Sequence, residues 1–162
     1  MARASRHSWR LFAADERGAA LVEMTIITPL MLTLAAGVFE FSNIIQTKLL
    51  LEAGVRDGAL YIARCGVTSD CQTNGKNIAV TGGAGSARVI SWVVGQVTVT
   101  PNDFAVVLDP DTGLQNYRSS DANVTTVEVT TSYPYTSTGL WGYLGFSAVT
   151  LTAAHEERVI GH

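Results

Sequence analysis

The stretch Gly18-Ala-Ala-Leu-Val-Glu-Met-Thr-Ile-Ile-Thr-Pro-Leu-Met-Leu-Thr-Leu-Ala-Ala-Gly-Val38 decides the fold. Its 21 residues carry a single charge, Glu23. Wound as an α-helix, the stretch would span roughly 31 Å, about the thickness of a bilayer's hydrocarbon core. It is longer than the apolar region of a cleaved signal peptide, about 7–15 residues. A core helix of a soluble protein is the competing reading. The flanks argue against it: Arg3, Arg6, Arg10 and Arg17 precede the stretch against only Asp15 and Glu16, and the flank on its other side is less basic. Basic residues stay on the cytoplasmic side, so the N-terminus is expected inside and the remainder outside.

Composition agrees once it is read by region. The 162 residues are 47% hydrophobic and only 15% charged, with formal net charge −3 and mean hydropathy +0.21. Soluble domains carry about 25% charged residues. A basic nucleic-acid binder, a disordered tail and a collagen-like fibre are all excluded. Zone by zone, residues 1–17 carry net +2, residues 18–41 net −2 and residues 42–162 net −3.

Two residues inside the apolar stretch need a reason. Pro29 removes a backbone donor and crowds the carbonyl of Thr25, so a helix kink is expected there, with hydroxyls such as Thr25 and Thr28 supporting the freed groups. Glu23 is costly in a membrane, about 2.5–3.5 kcal/mol at a helix centre and less near an end. One reading is a carboxylate snorkelling to the cytoplasmic headgroups. The other needs a positive partner at that depth. A free α-amine made by cutting after Gly18, with a pKa near 7.7–8, would be mostly protonated. A neighbouring chain shifted by a few residues would present it better than Glu23's own chain.

Arg17-Gly18-Ala19-Ala20-Leu21-Val22-Glu23 resembles a prepilin processing site: a basic residue, Gly, a cut, four residues, then Glu opening an apolar helix. With Met24 and Thr28-Pro29-Leu30 it is similar to the start of TadE-like proteins of the Tad/Flp pilus system. Phe39-Glu40-Phe41, the segment from Leu51 to Ala63, and the ending Val149 to Ala154 with Glu157-Arg158 extend the resemblance. It implies a pseudopilin (a minor pilin-like protein) of the bacterial inner membrane that supports assembly of thin adhesive pili. Its implied partners are a prepilin peptidase, other pilin and pseudopilin subunits, and inner-membrane lipid. By the same resemblance Gly18 and Ala19 flank the cleavage site and Glu23 is the assembly carboxylate. Ala19 departs from the Phe that many type IV pilins carry there.

Beyond Phe41 the helix is expected to continue as an amphipathic one, with Ile44, Ile45, Leu49, Leu51, Val55, Ala59 and Ile62 on its apolar side and Glu52 and Arg56 as an i,i+4 pair. Cys65 and Cys71 bracket its end. An extracytoplasmic location favours a disulfide over free thiols. No histidine lies near them in sequence to suggest a metal. Asn74 to Val80 reads as a short helix, and the glycines from Gly82 to Gly85 read as a turn, because they lack the ending of a phosphate loop. Trp92 reads as packing. Residues 96–100, 104–108, 124–131 and 148–153 are rich in Val and Thr and read as strands. Pro101-Asn102-Asp103 and Asp109-Pro-Asp-Thr-Gly113 separate them as turns. The second of these superficially resembles a calcium loop but lacks a third acidic ligand and the distal Glu, so it reads as a turn. Tyr133-Pro-Tyr135 and Leu140 to Phe146 place five of thirteen aromatic residues in one loop, to be buried on the sheet or used as a partner surface.

The expected fold class is therefore α+β: a long N-terminal transmembrane and amphipathic α-helix, a pilin-like stem, packed on a small antiparallel sheet domain of about four strands. Its segments are a leader (1–18), a transmembrane segment (19–41), an amphipathic helix (42–64) and an extracytoplasmic head (65–162). No nucleophile–base pairing, metalloprotease motif or acidic dyad is present. An enzyme, a cofactor, a small-molecule substrate and a nucleic-acid partner are not expected. Two functions remain: a pilus-assembly component, or an uncleaved membrane-tethered periplasmic binding module.

Overall fold

The computed structural model describes residues 16–137, 142 and 149–160. Residues 1–15, and with them most of the expected leader, lie outside it, as do Leu140 and Trp141 to Phe146 of the aromatic segment, apart from Gly142. Two helices, α1 (Glu16–Cys65) and α2 (Ser69–Thr81), precede three strands, β1 (Val97–Ala105), β2 (Asn123–Tyr135) and β3 (Val149–Arg158). The chain divides into two compact units between Phe41 and Ser42, and α1 contributes to both.

In the first unit the described residues are helical throughout. The sequence here is apolar all round, with no polar stripe, and its large side chains stay exposed: Leu21, Ile26, Leu30, Leu34 and Val38 are all about 59–70% accessible. A helix without a polar face has no side to present to water. The helical assignment runs through Pro29. Thr25 Oγ1 donates to the Val22 carbonyl, 2.7 Å away, and Thr33 Oγ1 to the Pro29 carbonyl at 2.8 Å. The hydroxyl that supports Pro29's own carbonyl is thus Thr33, one turn later. Thr25 bonds backward, away from the carbonyl that proline leaves without a donor.

The second unit is α+β. Leu51, Val55, Ala59 and Ile62 of α1 are fully buried against Ala79 and Val80 of α2 and against Val97, Val127, Val129, Tyr133 and Leu151 of the sheet. Ile45 and Leu49, expected on the same face, are exposed, so the buried stripe is narrower than the apolar pattern. Close approach of α1 to α2 depends on Gly54 and Gly58. A Cβ at Gly54 would sit 2.5 Å from the Ala79 carbonyl and from the Trp92 ring, and one at Gly58 would sit 2.8 Å from the Gly75 carbonyl. Trp92 closes this joint at 1% exposure, its indole Nε1 donating to Thr131 Oγ1 at 3.0 Å. Thr131 passes the bond on to the Gln96 carbonyl at 2.9 Å, so the one polar atom of the buried indole is satisfied.

The sheet has the order β1-β2-β3, antiparallel throughout. Three strands stand where about four were expected, because residues 96–100 and 104–108 belong largely to one strand. Pro101-Asn102-Asp103 does not turn: Pro101 lies opposite Val127 within β1. A proline is tolerated there because β1 is an edge strand, and only one side of it must bond. Tyr133 and Tyr135 are likewise part of β2 and buried, not in a loop. Helix α2 begins before the expected Asn74: Thr68 caps it, its hydroxyl accepting from Cys71 N at 3.3 Å, and Gly82 in the left-handed region ends it.

Candidate functional site

The residues singled out by sequence occupy two places. Gly18, Ala19, Glu23 and Pro29 belong to the first unit, and Cys65 and Cys71 to the second.

Gly18 and Ala19 lie in the first turn of α1, both exposed, with nothing within 4 Å of a Cβ built on Gly18. The first four N–H groups of a helix have no intrahelical partner. Opening the peptide between Gly18 and Ala19 therefore disturbs little structure. Glu23 is exposed one turn further on. Its helical neighbours at three and four residues are Ala19, Ala20, Ile26 and Ile27, all apolar. Among the described residues no ion pair or hydrogen bond engages the Glu23 carboxylate. Further along, Phe39 and Phe41 face outward at 73% and 60% exposure while Glu40 between them is 2% exposed, an ordering opposite to that of a water-facing helix.

Among the described residues α1 is the one helix long and apolar enough to cross a membrane, over Gly18–Cys65, and none of its most apolar window is buried. A core helix of a soluble protein would be mostly covered.

Cys65 and Cys71 stand as a bonded pair, Cα atoms 5.9 Å apart, tying the last turn of α1 to the first turn of α2. The separation is ordinary for a disulfide. Gly66, with φ 101°, ends α1 by donating to the Ile62 carbonyl at 2.8 Å, and Ile160 N caps the Ala63 carbonyl at 2.8 Å. The end of the helix is thereby fixed from three directions.

Elsewhere among the described residues, polar groups brace turns and strands. Asp109 accepts from Asp111 N at 2.9 Å and Thr112 N at 2.8 Å, forming an Asx turn closed by Gly113 at φ 67°. These donors, Thr112's backbone N–H first, hold the Asp109 carboxyl below its usual range. Among the described residues no group of three His, Cys, Asp or Glu is placed to hold a metal. His155 lies in β3 opposite Val129, 3.3 Å from Glu157. An open cleft of about 750 Å³ runs between the Cys65–Thr68 loop and β1, but Asp103 on its wall accepts from Thr125, and Arg158 donates to the Arg118 carbonyl. Those groups serve the fold. The Glu52–Arg56 pair expected from spacing is replaced by Lys48–Glu52 at 3.6 Å.

Sequence reasoning passed over two features. One is the glycine joint at Gly54, Gly58 and Gly75, whose four-residue Gly54–Gly58 spacing already places two small residues on one helix face. The other is the Asp57–Arg88 ion pair, which bridges 31 positions and carries no local signal.

No curated protein and no solved structure matches the chain. Residues 18–60 match the family model described as TadE-like protein, a match that opens on Gly18, takes in the apolar stretch and reaches the glycine joint, so that this segment of the chain is similar to that family.

Proposed function

We propose that this chain is a pseudopilin, a minor pilin-like structural component of Tad/Flp pilus assembly. The first part of α1 anchors it in the bacterial inner membrane, with the N-terminus cytoplasmic and the α+β unit periplasmic. A prepilin peptidase cuts between Gly18 and Ala19, and Glu23 is the carboxylate that guides each subunit into register with other pilin and pseudopilin subunits. The observation that carries the reading is the coincidence of the TadE-like match, which starts at Gly18, with a first part of α1 that is apolar on every side and exposed among the described residues.

Three physical arguments support the details. The arginines ahead of the apolar stretch, against a less basic flank after it, favour a cytoplasmic N-terminus. The periplasm is an oxidising compartment in which the Cys65–Cys71 bridge persists. An exposed carboxylate among apolar neighbours is retained in a membrane segment when it has a cationic partner, and the α-amine of another, freshly cut chain is such a partner. The role is structural, with no catalytic residue, metal or cofactor proposed.

Glu23→Gln tests the carboxylate. The neutral amide keeps the size and removes the charge. The substituted protein is expected to insert in the membrane at wild-type levels while surface piliation falls. Normal piliation in that variant would leave snorkelling as the account of Glu23.

A further inference from the structure

Between β1 and β2 the chain makes a hairpin arm that the core does not need. Asp109 N donates to the Leu114 carbonyl at 2.8 Å, Asn116 N to Val107 O at 3.0 Å, and the Asn116 side chain bonds both Val107 N (2.8 Å) and the Ala105 carbonyl (3.2 Å). A bridge pairs Leu108 with Gln115, and the Phe104 and Tyr117 rings pack at 6.1 Å at its base. The arm is thus held in one shape, yet Val107, Leu108 and Leu114 are 57–70% exposed. Apolar side chains displayed on a fixed scaffold mark a contact surface. Asp109 and Asp111 flank them, and no cation pairs with either among the described residues.

The helical layer of the same unit offers the complement. A cleft of about 560 Å³ between α1 and α2 is lined by Leu60, Tyr61 and Ile78, with Arg64 and Asp57 beside them. Asp57 is already neutralised by Arg88. Arg64, and Arg56 two turns earlier on α1, are exposed and have no ion-pair partner among the described residues. The charges divide the same way on a larger scale. Residues 42–96 carry five Lys/Arg against three Asp/Glu, and residues 97–162 carry two against seven. Like layers of two copies repel, and unlike layers attract.

We propose that the arm of one copy docks in the α1–α2 cleft of a second copy. Leu108 and Leu114 enter between Leu60, Tyr61 and Ile78, and Asp111 faces Arg64 of the neighbour. The contact is heterologous, so the copy that gives its arm keeps its cleft free, the copy that receives it keeps its arm free, and a row grows instead of a closed dimer. The footprint is small, and a common membrane anchor compensates by raising the effective concentration. The contact lies wholly in the second unit and does not depend on leader cleavage.

The test uses the full-length chain in membranes, expressed as two differently tagged copies. One carries a photo-crosslinking phenylalanine analogue in place of Leu114. Irradiation is expected to join the two tags, with the crosslinked peptide of the partner copy drawn from residues 57–78. Asp111→Arg leaves the Asp109 turn bonds intact and is expected to lower the yield about three- to fivefold, in line with a rim charge pair. Arg64→Asp in the other copy should restore it, a rescue in trans that misfolding of either chain would not produce. Crosslinks only to lipid or to a different protein, or a yield unchanged by both charge reversals, would overturn the proposal.

Discussion

Over residues 51–63 of α1, apolar side chains recur on one face and disappear into the core: Leu51, Val55, Ala59 and Ile62 are completely covered. Over residues 18–41 they appear on every face and none of the large ones is covered. Burial in the second part comes from α2 and the sheet, while the first part supplies apolar surface that no described residue of its own unit covers. At about 25 cal/mol per Å², that surface is strongly unfavourable in water and favourable in lipid or against other apolar helices. The contrast teaches that one part of α1 is covered by this chain's own core, and the other is left exposed by the described residues.

Substitutions that distinguish the two environments test this directly. The largest effect is expected in the second unit. Trp92→Ala empties the joint over Gly54 and removes the donor to Thr131 Oγ1, and should destabilise that unit by about 3–5 kcal/mol, read as a lowered thermal midpoint of the detergent-solubilised full chain. Insertion of the first part should not change. A smaller and opposite pattern is expected for Ile26→Lys, which places a charge in the apolar stretch. It should impair membrane insertion by about 2.5–3.5 kcal/mol, measured as the fraction of chain resisting alkaline extraction, and leave the unfolding of the second unit where it was. The same change at exposed Asn77 of α2 should do neither, since surface substitutions usually stay within about 0.5 kcal/mol. If Asn77→Lys matched Ile26→Lys, the distinction between the two parts would fail.

The smallest effect belongs to the Asx turn. The backbone donors hold Asp109 ionised below its usual range, so its contribution is present above the unfolded carboxylate pKa and is lost as pH falls through the lower folded one. The stability gap between wild type and Asp109→Ala should therefore be widest near neutral pH and close on acidification below the ordinary carboxylate range. A gap independent of pH would show that the carboxylate's charge is irrelevant to the turn.

Much of this is legible in the residues. The apolar length of residues 18–38, the switch to a one-sided pattern after Phe41 and the alternating Val/Thr runs express periodicities of 3.6 and 2, and they lead to the α+β class and the candidate span. The features that escape are non-local. Pro101 reads as a turn in isolation and is a strand residue because β1 happens to be an edge. Ile45 and Leu49 fit the helical period, but whether a periodic side chain finds a partner depends on where α2 and the sheet end. Arg56 has the right spacing for Glu52, yet the Lys48 ammonium takes that carboxylate from the other side. Glu23 stands out because a lone carboxylate in an apolar run is conspicuous, whereas the Asp57–Arg88 pair is visible only once the chain has folded.

The central claim is that residues 1–18 are a leader and that the working protein begins with the apolar helix itself. Intact-mass and N-terminal peptide measurement of the protein from its native host tests it most directly. A mature chain starting at Ala19 is predicted, with accumulation of the uncut chain when the prepilin peptidase is deleted or Gly18 is replaced by Ala. A chain that keeps Met1, or loses only its initiator, and is indifferent to both changes would contradict the claim and favour an uncleaved tether.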